Sequence, residues 1–330
     1  MKVEEAMFSR RQVLAMAPLA SAAALRRTRR VPAGASQPAT PVAFSVPPGA
    51  CDCHTHVFGD PRRFPFAPGR TYTPESASVA EMRKLHRALH TTRVVIVQPS
   101  VYGTDNACTL DAIRQLGADA RGIAVIDEQT TDAALDEMDG AGIRGIRINL
   151  ATAGQTDPDL GRRRFEAAVT RIRNRKWHIQ MYTQLSVIAA MRKDIAASPA
   201  PVVFDHFGGA QAAGGTAQPG FDVLLDLVRT GQAYVKVSAP YRGSTSGPDF
   251  VDMAPLAKAL ITANVRRILW GTDWPHPDTA TGRPATDISP LRQIDDGRVF
   301  NQFSKWASTA AERKAILVEN PAALYGFSRT

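Results

Sequence analysis

Between Ala50 and Asp273, short β-branched or apolar runs alternate with longer segments of helical periodicity. This rhythm constrains the fold more than any other feature, because it calls for parallel strands joined by helical crossovers. The predicted strands are 50–57, 94–98, 122–126, 145–150, 179–183, 202–207, 233–238 and 267–273. Helices are predicted at 78–90, 110–116, 132–141, 165–175, 187–197, 221–230 and 255–263, and again near 301–307 and 310–319. The segment 78–90 is typical, with Val79, Met82, Leu85 and Leu89 on one helical stripe. Eight strands with crossovers predict an α/β fold closed into a (β/α)8 TIM barrel. Such a barrel takes about 250 residues, and the chain has 330. An open doubly wound sheet is the alternative, but no G-x-G-x-x-G follows the first strand.

Hydrophobic residues make up 44% and charged residues 22% of the chain, the balance of a soluble globular protein. The longest apolar run, Leu14–Leu25, is interrupted by Pro18 and falls short of the roughly 18 residues of a transmembrane helix. The net charge of +9 is unevenly spread. Residues 1–50 hold seven basic residues (Lys2, Arg10, Arg11, Arg26, Arg27, Arg29, Arg30) against Glu4 and Glu5, a net of +5, which leaves +4 for the other 280. No basic stripe interleaved with aromatics remains there, so nucleic acid is not an expected partner. Cys51, Cys53 and Cys108 are odd in number and lack framework spacing, so they are expected to be small buried hydrophobes.

Ser9-Arg10-Arg11-Gln12-Val13-Leu14 followed by an alanine-rich apolar stretch resembles a twin-arginine export signal, with Ala33-Gly34-Ala35 as a cleavage site. Residues 31–48 are rich in Pro, Ala and Ser and read as an unstructured linker. The expected organisation is a leader and linker over 1–46 and one barrel domain over 47–330. The expected location is periplasmic or exported. The arginines at 26, 27, 29 and 30 keep open a basic arm on a cytoplasmic enzyme.

Barrel enzymes place their chemistry at the carboxyl ends of the strands. His54 and His56 end the first predicted strand, and a period of two puts them on one face with Asp52, with Cys53 and Thr55 opposite. His206 ends the sixth, in Asp205-His206-Phe207-Gly208-Gly209, and Asp273 ends the eighth, in Gly271-Thr272-Asp273-Trp274-Pro275-His276. Imidazoles and a carboxylate converging at a barrel mouth can hold one divalent ion such as zinc. The carboxylate can instead take a proton from water. Arg147 alternates with Gly145 and Asn149 and should face inward, where it needs a substrate carboxylate or a buried acid as partner. His86 and His90, four apart on a predicted helix, read as a solvated face, and His178 at the start of the fifth strand reads as structural. His276 is expected to touch substrate or cap a turn.

Cys53-His54-Thr55-His56, Phe204-Asp205-His206-Phe207-Gly208 and Trp270-Gly271-Thr272-Asp273-Trp274-Pro275-His276 resemble the amidohydrolase superfamily, in its amidohydrolase-related branch. Val57-Phe58-Gly59, Arg63–Pro68, Tyr72-Thr73-Pro74 and Gln98–Asn106 are similar to the lactonases of that branch, the 2-pyrone-4,6-dicarboxylate lactonases and their relatives. The resemblance spans about residues 50–327. It implies a metal-dependent-hydrolase-type barrel in which His54, His56 and His206 polarise a lactone carbonyl, directly or through a metal, and Asp273 activates water. It also implies substrate contacts at Arg147, Tyr182, Arg242, Ser100, Tyr102 and Asn106. Two departures stand out. The fifth strand ends in Tyr182 where many metal-binding members have histidine, which leaves metal-free catalysis open. Leu150-Ala151-Thr152-Ala153-Gly154 replaces a segment that carries an extra arginine in the pyrone dicarboxylate lactonases.

The expected activity is hydrolysis of a carboxylated lactone, a small anionic substrate from carbohydrate or aromatic acid catabolism. Alternatives are a metal-dependent decarboxylase, a lactone isomerase and a non-catalytic exported binding barrel.

Overall fold

The computed structural model describes residues 34–278, 282 and 284–328, so the Ser9–Leu14 segment expected to be an export signal lies outside the described residues. Eight parallel strands form in chain order: β1 (Cys51–Thr55), β2 (Arg93–Val97), β3 (Ala120–Ala124), β4 (Ile143–Asn149), β5 (His178–Tyr182), β6 (Val202–Phe204), β7 (Ala233–Ser238) and β8 (Ile268–Gly271). Each pairs with the next. The seam between β8 and β1 is closed just past the end of β8. Asp273 N donates to His54 O and His56 N to Trp274 O, both at 2.8 Å, beside a parallel bridge from Thr55 to Trp274. The fold is the (β/α)8 barrel that the alternation predicts.

The outer layer consists of α1 (Val79–Leu89), α2 (Ala107–Leu116), α3 (Asp132–Gly140), α4 (Pro158–Ile172), α5 (Leu185–Ala190), α6 (Arg192–Ala196), α7 (Phe221–Arg229), α8 (Ala254–Asn264) and α9 (Asp296–Trp306). Local chemistry sets their ends. Ser78 and Glu81 form a capping box at the start of α1, and His90 ends it in the left-handed region. Helix α4 starts seven residues before the predicted 165, because Asp157 caps it and Pro158 occupies its first turn. The floor of the barrel is filled by Cys51, Cys53, Val95, Val97, Ile123 and Leu269, with Tyr325 packed against them. All three cysteines are free and buried. That apolar floor leaves the opposite end, where the strands finish, for polar groups.

Strand β1 departs from simple alternation. Its register shifts between Asp52 and Thr55, and a bulge of this kind re-aims side chains. Cys53 therefore joins the interior, and His54 follows it inward. Asp52 turns outward, away from the two histidines it was expected to accompany. There it accepts from Thr272 Oγ1 at 2.7 Å and Thr272 N at 3.0 Å, and His86 of α1 lies at 3.3 Å. His86 is thus buried against Asp52 and is not on a solvated face; His90 is exposed.

Residues 34–46 were expected to be unstructured, and the structure lays them across the barrel flank. Thr40 N and Oγ1 donate to the Asp295 carboxylate that caps α9, at 3.0 and 2.6 Å. Trp274 Nε1 donates to Ser36 O at 2.9 Å, and Phe44 meets Phe300 edge-on. Local composition conceals this, because the partners lie some 240–260 residues away. A chain beginning at Pro47 should lose these contacts and melt several degrees below one beginning at Gly34. Equal melting temperatures for the two truncations would show that the strap contributes nothing.

His178 begins β5 with both ring nitrogens buried and without side-chain partners, packed edge-on against Tyr325. Burial first, and then the Lys236 charge, push its pKa down to about 3. A depressed pKa means that the unfolded chain binds the proton more readily. The contribution is therefore complete above the ordinary value of 6.5 and is lost as pH falls from there toward 3. Each such group adds a slope of about 1.4 kcal/mol per pH unit. Denaturant unfolding between pH 7.5 and 5 should show stability falling with pH, less steeply in His178→Gln. An unchanged slope in the variant would contradict the assignment.

Candidate active site

Sharp turns at the strand ends aim the polar groups. After β6 the chain turns through His206 (φ 50°), Phe207 (φ 57°) and Gly208 (φ 64°), and after β8 through Asp273 (φ 66°). Left-handed backbone at non-glycine residues is uncommon and tends to mark functional positions. The turns bring His206 and Asp273 over the mouth of the barrel, opposite His54 and His56 on β1 and its extension.

The four side chains meet at one atom. Asp273 Oδ1 lies 3.4 Å from His54 Nε2, 3.3 Å from His56 Nε2 and 3.7 Å from His206 Nε2. All four residues are buried. The other ring nitrogens fix their orientation. His56 Nδ1 lies 2.7 Å from the Val97 carbonyl, which can only accept, so Nδ1 carries the proton. His54 Nδ1 lies 3.1 Å from the Asp205 carboxylate, an acceptor, and 3.3 Å from Lys236 Nζ, a donor. His206 Nδ1 meets the Ser238 hydroxyl at 2.9 Å. A hydroxyl can donate or accept, so His206, like His54, keeps both tautomers. Burial pushes the His54 pKa down to about 3, against the pull of Asp205, and holds His206 well below its ordinary value. Burial alone would raise the Asp273 carboxyl, but Arg242 first, then His206, hold it well below the usual carboxylate range. Neutral His54 and His206 therefore face an ionised carboxylate.

Two networks support this cluster. Asp205 receives Arg147 Nη2 at 3.3 Å and Gln180 Nε2 at 3.1 Å on Oδ2, and Lys236 Nζ at 3.4 Å on Oδ1. Lys236, fully buried, also donates to Gln180 Oε1 at 2.6 Å. Asp273 Oδ2 receives Tyr241 Oη at 2.6 Å and Arg242 at 2.7–2.8 Å. Because the Tyr241 proton goes to Asp273, its oxygen can accept from His276 Nδ1 at 3.3 Å. His276 Nε2 reaches Asp296 Oδ2 at 2.9 Å, so this histidine is a buried strut behind Tyr241. Sequence reasoning assigned no role to Asp205, Lys236, Gln180 or Tyr241. Lys236 was open to discovery, since a lysine between Val235 and Val237 in a central strand has to be buried.

Of the residues expected to contact substrate, Arg147, Tyr182, Arg242 and Ser100 line one small cavity with His56, His206 and Asp273; Tyr72, Thr152 and Pro277 complete its wall. Its volume is about 30 Å³, the share of one water molecule. Tyr182 lies between two guanidiniums, 5.6 Å from Arg147 and 5.9 Å from Arg242. Tyr102 and Asn106 are placed elsewhere. Tyr102 Oη accepts from Gly59 N at 3.0 Å. Asn106 pairs with both the N–H and the carbonyl of Val125. Both are buried struts of the loop after β2, and neither lines this cavity. Arg242, expected to contact substrate, is paired with Asp273.

The donor set fits a divalent cation. Three nitrogens, that of His56 with its lone pair fixed by the Val97 carbonyl, converge on a carboxylate oxygen, and His54 Nε2 and Asp273 Oδ1 are buried without hydrogen-bond partners. Ligands bonded to zinc at about 2.0–2.1 Å in a tetrahedron lie roughly 3.3–3.4 Å apart, close to the spacings here. Nδ1 groups held by a carbonyl and a carboxylate are the usual support for histidine ligands. His54, His56 and Asp273 have ligand atoms within 4.8 Å of one another and would hold the ion, with His206 beside them at 3.7 Å from Asp273 Oδ1.

The family model for amidohydrolases matches residues 51–327. The chain is 34% identical over 289 residues to a 4-sulfomuconolactone hydrolase of Rhizobium radiobacter, covering 87% of this chain and 93% of that one. It is 34% identical over 293 residues to a 2-pyrone-4,6-dicarboxylate hydrolase of Comamonas testosteroni, covering 86% and 92%. A solved structure from Agrobacterium tumefaciens superposes with a TM-score of 0.74 at 25% identity, covering 88% of this chain and 100% of that one. With the barrel, the histidine cluster and the strand-end aspartate in place, the chain belongs to the amidohydrolase family.

Proposed function

We propose that the protein hydrolyses a carboxylated lactone, with Asp273 as the base for the attacking water. The observation that carries this reading is the asymmetry of Asp273. Oδ2 is held by Tyr241 and Arg242, while Oδ1 is unpartnered beside a cavity of about one water's volume. A water there can give its proton to Oδ1 as its oxygen approaches the carbonyl carbon. His206 can donate Nε2–H to the carbonyl oxygen when Nδ1 accepts from Ser238, and so can His54 when its Nδ1 accepts from Lys236; His56 cannot, because its proton sits on Nδ1. A bound divalent ion at the cluster would supply Lewis-acid polarisation and a more acidic water. The relatives named above are hydrolases of lactone rings bearing acidic groups, which supports the same class of substrate.

The anionic group falls to Arg147. Arg147, Arg242 and Lys236 face only Asp205 and Asp273, one positive charge in excess among these five groups. Arg147 Nε is buried without a partner. Arg147→Met should raise KM for a carboxylated lactone about ten- to over a hundredfold, the loss of one charge-assisted hydrogen bond, and leave a neutral lactone nearly unaffected. Equal losses on both would confine Arg147 to its pairing with Asp205. A lactone panel followed by proton release, with and without chelator, tests the activity; carbon dioxide released from an aromatic acid would point to a lyase.

A further inference from the structure

The catalytic cavity is small, about 30 Å³, and a larger hollow shares two of its lining residues. Strand β3 pairs with β4 only as far as Ala124 opposite Ile146. The next residue, Val125, is taken by Asn106, whose side chain bonds both its N–H and its carbonyl. Arg147 is one residue past the last rung, so a window lies beside it. On the far side of the window is a hollow of about 850 Å³. Arg147 and Ser100 line both this hollow and the catalytic cavity. The hollow's apolar wall is formed by Ile146 and Ile148 from β4, Ala167 and Ala168 from α4, and Val125 and Ile126, with Gln98, Gln129, Asn149 and Thr170 as polar members. Charge sits at the outer rim, where Arg164 and Arg171 are balanced by Asp127 and Glu128.

We infer that the hollow receives an apolar arm of the substrate, several carbons long, attached to a carboxylated core anchored at Arg147. The buried guanidinium at the inner end, with Nε unpartnered, selects the anion. The aliphatic walls select an alkyl or aryl substituent over a second charged group. This deepens the lactonase reading by naming the class of lactone, and it rests on that reading for the reaction but not for the binding.

The test is calorimetric titration of the full chain with straight-chain carboxylates from butanoate to decanoate. Affinity should rise about two- to fourfold per methylene, the usual gain for burying one, until the hollow is full. Ala167→Phe, at the exposed edge of the hollow where the fold tolerates it, should flatten that rise. Ala168→Leu should do so as a second, smaller plug. Affinity independent of chain length in the wild type, or an undiminished rise in both plugged variants, overturns the proposal. Hydrolysis of 5-oxotetrahydrofuran-2-carboxylate and its hexyl derivative separates the two readings. A KM at least tenfold lower for the hexyl compound supports both. Chain-length-dependent binding with turnover of neither lactone retires the hydrolase and leaves the hollow's occupant as inferred.

Discussion

Asp273→Asn should fold, bind substrate and lose kcat by roughly 10²–10⁴-fold, the scale of positioned acid–base catalysis. The amide nearly keeps the shape of the carboxylate but cannot take a proton from water. Part of any loss could come from the support network, because Oδ2 accepts from Tyr241 and Arg242, and an amide nitrogen there would face two donors. The amide can avoid this by presenting its oxygen to them, which turns its NH₂ toward the histidine cluster. Metal content measured in both proteins separates a lost base from a lost ligand. Arg242 holds the Asp273 carboxyl well below its ordinary range, so it is ionised throughout the neutral region. The acid limb of the wild-type rate profile should accordingly lie below the ordinary carboxylate pKa of about 3.9, provided the fold survives there. A folded, metal-replete Asp273→Asn enzyme with near-normal turnover would remove Asp273 from the mechanism.

Lys236→Met should destabilise the barrel by about 3–5 kcal/mol, the usual effect of removing one partner from a buried ion pair. Lys236 and Asp205 are both fully buried, 3.4 Å apart, and Gln180 is shared between them at 2.6 and 3.1 Å. Burial lowers the Lys236 pKa against the opposing pull of Asp205, so the charge is held in place by its partner. Losing it leaves Asp205 with Arg147 and His54 but with one cation fewer in the barrel interior. Adding Asp205→Asn to Lys236→Met should recover part of the stability, because no buried carboxylate then lacks its lysine. Urea unfolding of the wild type, the two single variants and the double variant completes the cycle. Strictly additive losses would show that the two residues do not act as a pair.

The barrel was legible because its signal is local. Alternating apolar runs and helical stripes are decided by neighbours within a few residues, and strand boundaries fell within a few positions of those predicted. His54, His56, His206 and Asp273 were legible as a group because strand ends gather at one face of a barrel. What surrounds them was not. The outward turn of Asp52 depends on a bulge that leaves no clear mark in Cys51-Asp52-Cys53-His54. The commitment of Arg242 to Asp273, 31 residues away, is set by the approach of two strand ends. Asn106 was grouped with the substrate contacts through its motif, yet its side chain secures Val125 and so shapes the window beside Arg147. The strap over residues 34–46 looks like linker by composition, because its partners in α9 and at Trp274 are distant in sequence.

The most direct test of the central claim is to run the reaction on a carboxylated lactone in water labelled with oxygen-18. Attack of water on the ring carbonyl, with Asp273 as base, places the label in the new carboxylate and none in the hydroxyl released by ring opening. That distribution, absent from Asp273→Asn under the same conditions, is the expected result. Label in the hydroxyl would mean cleavage at the alkyl carbon. A product with no label would mean isomerisation or decarboxylation, and either outcome would contradict a hydrolytic site built on Asp273.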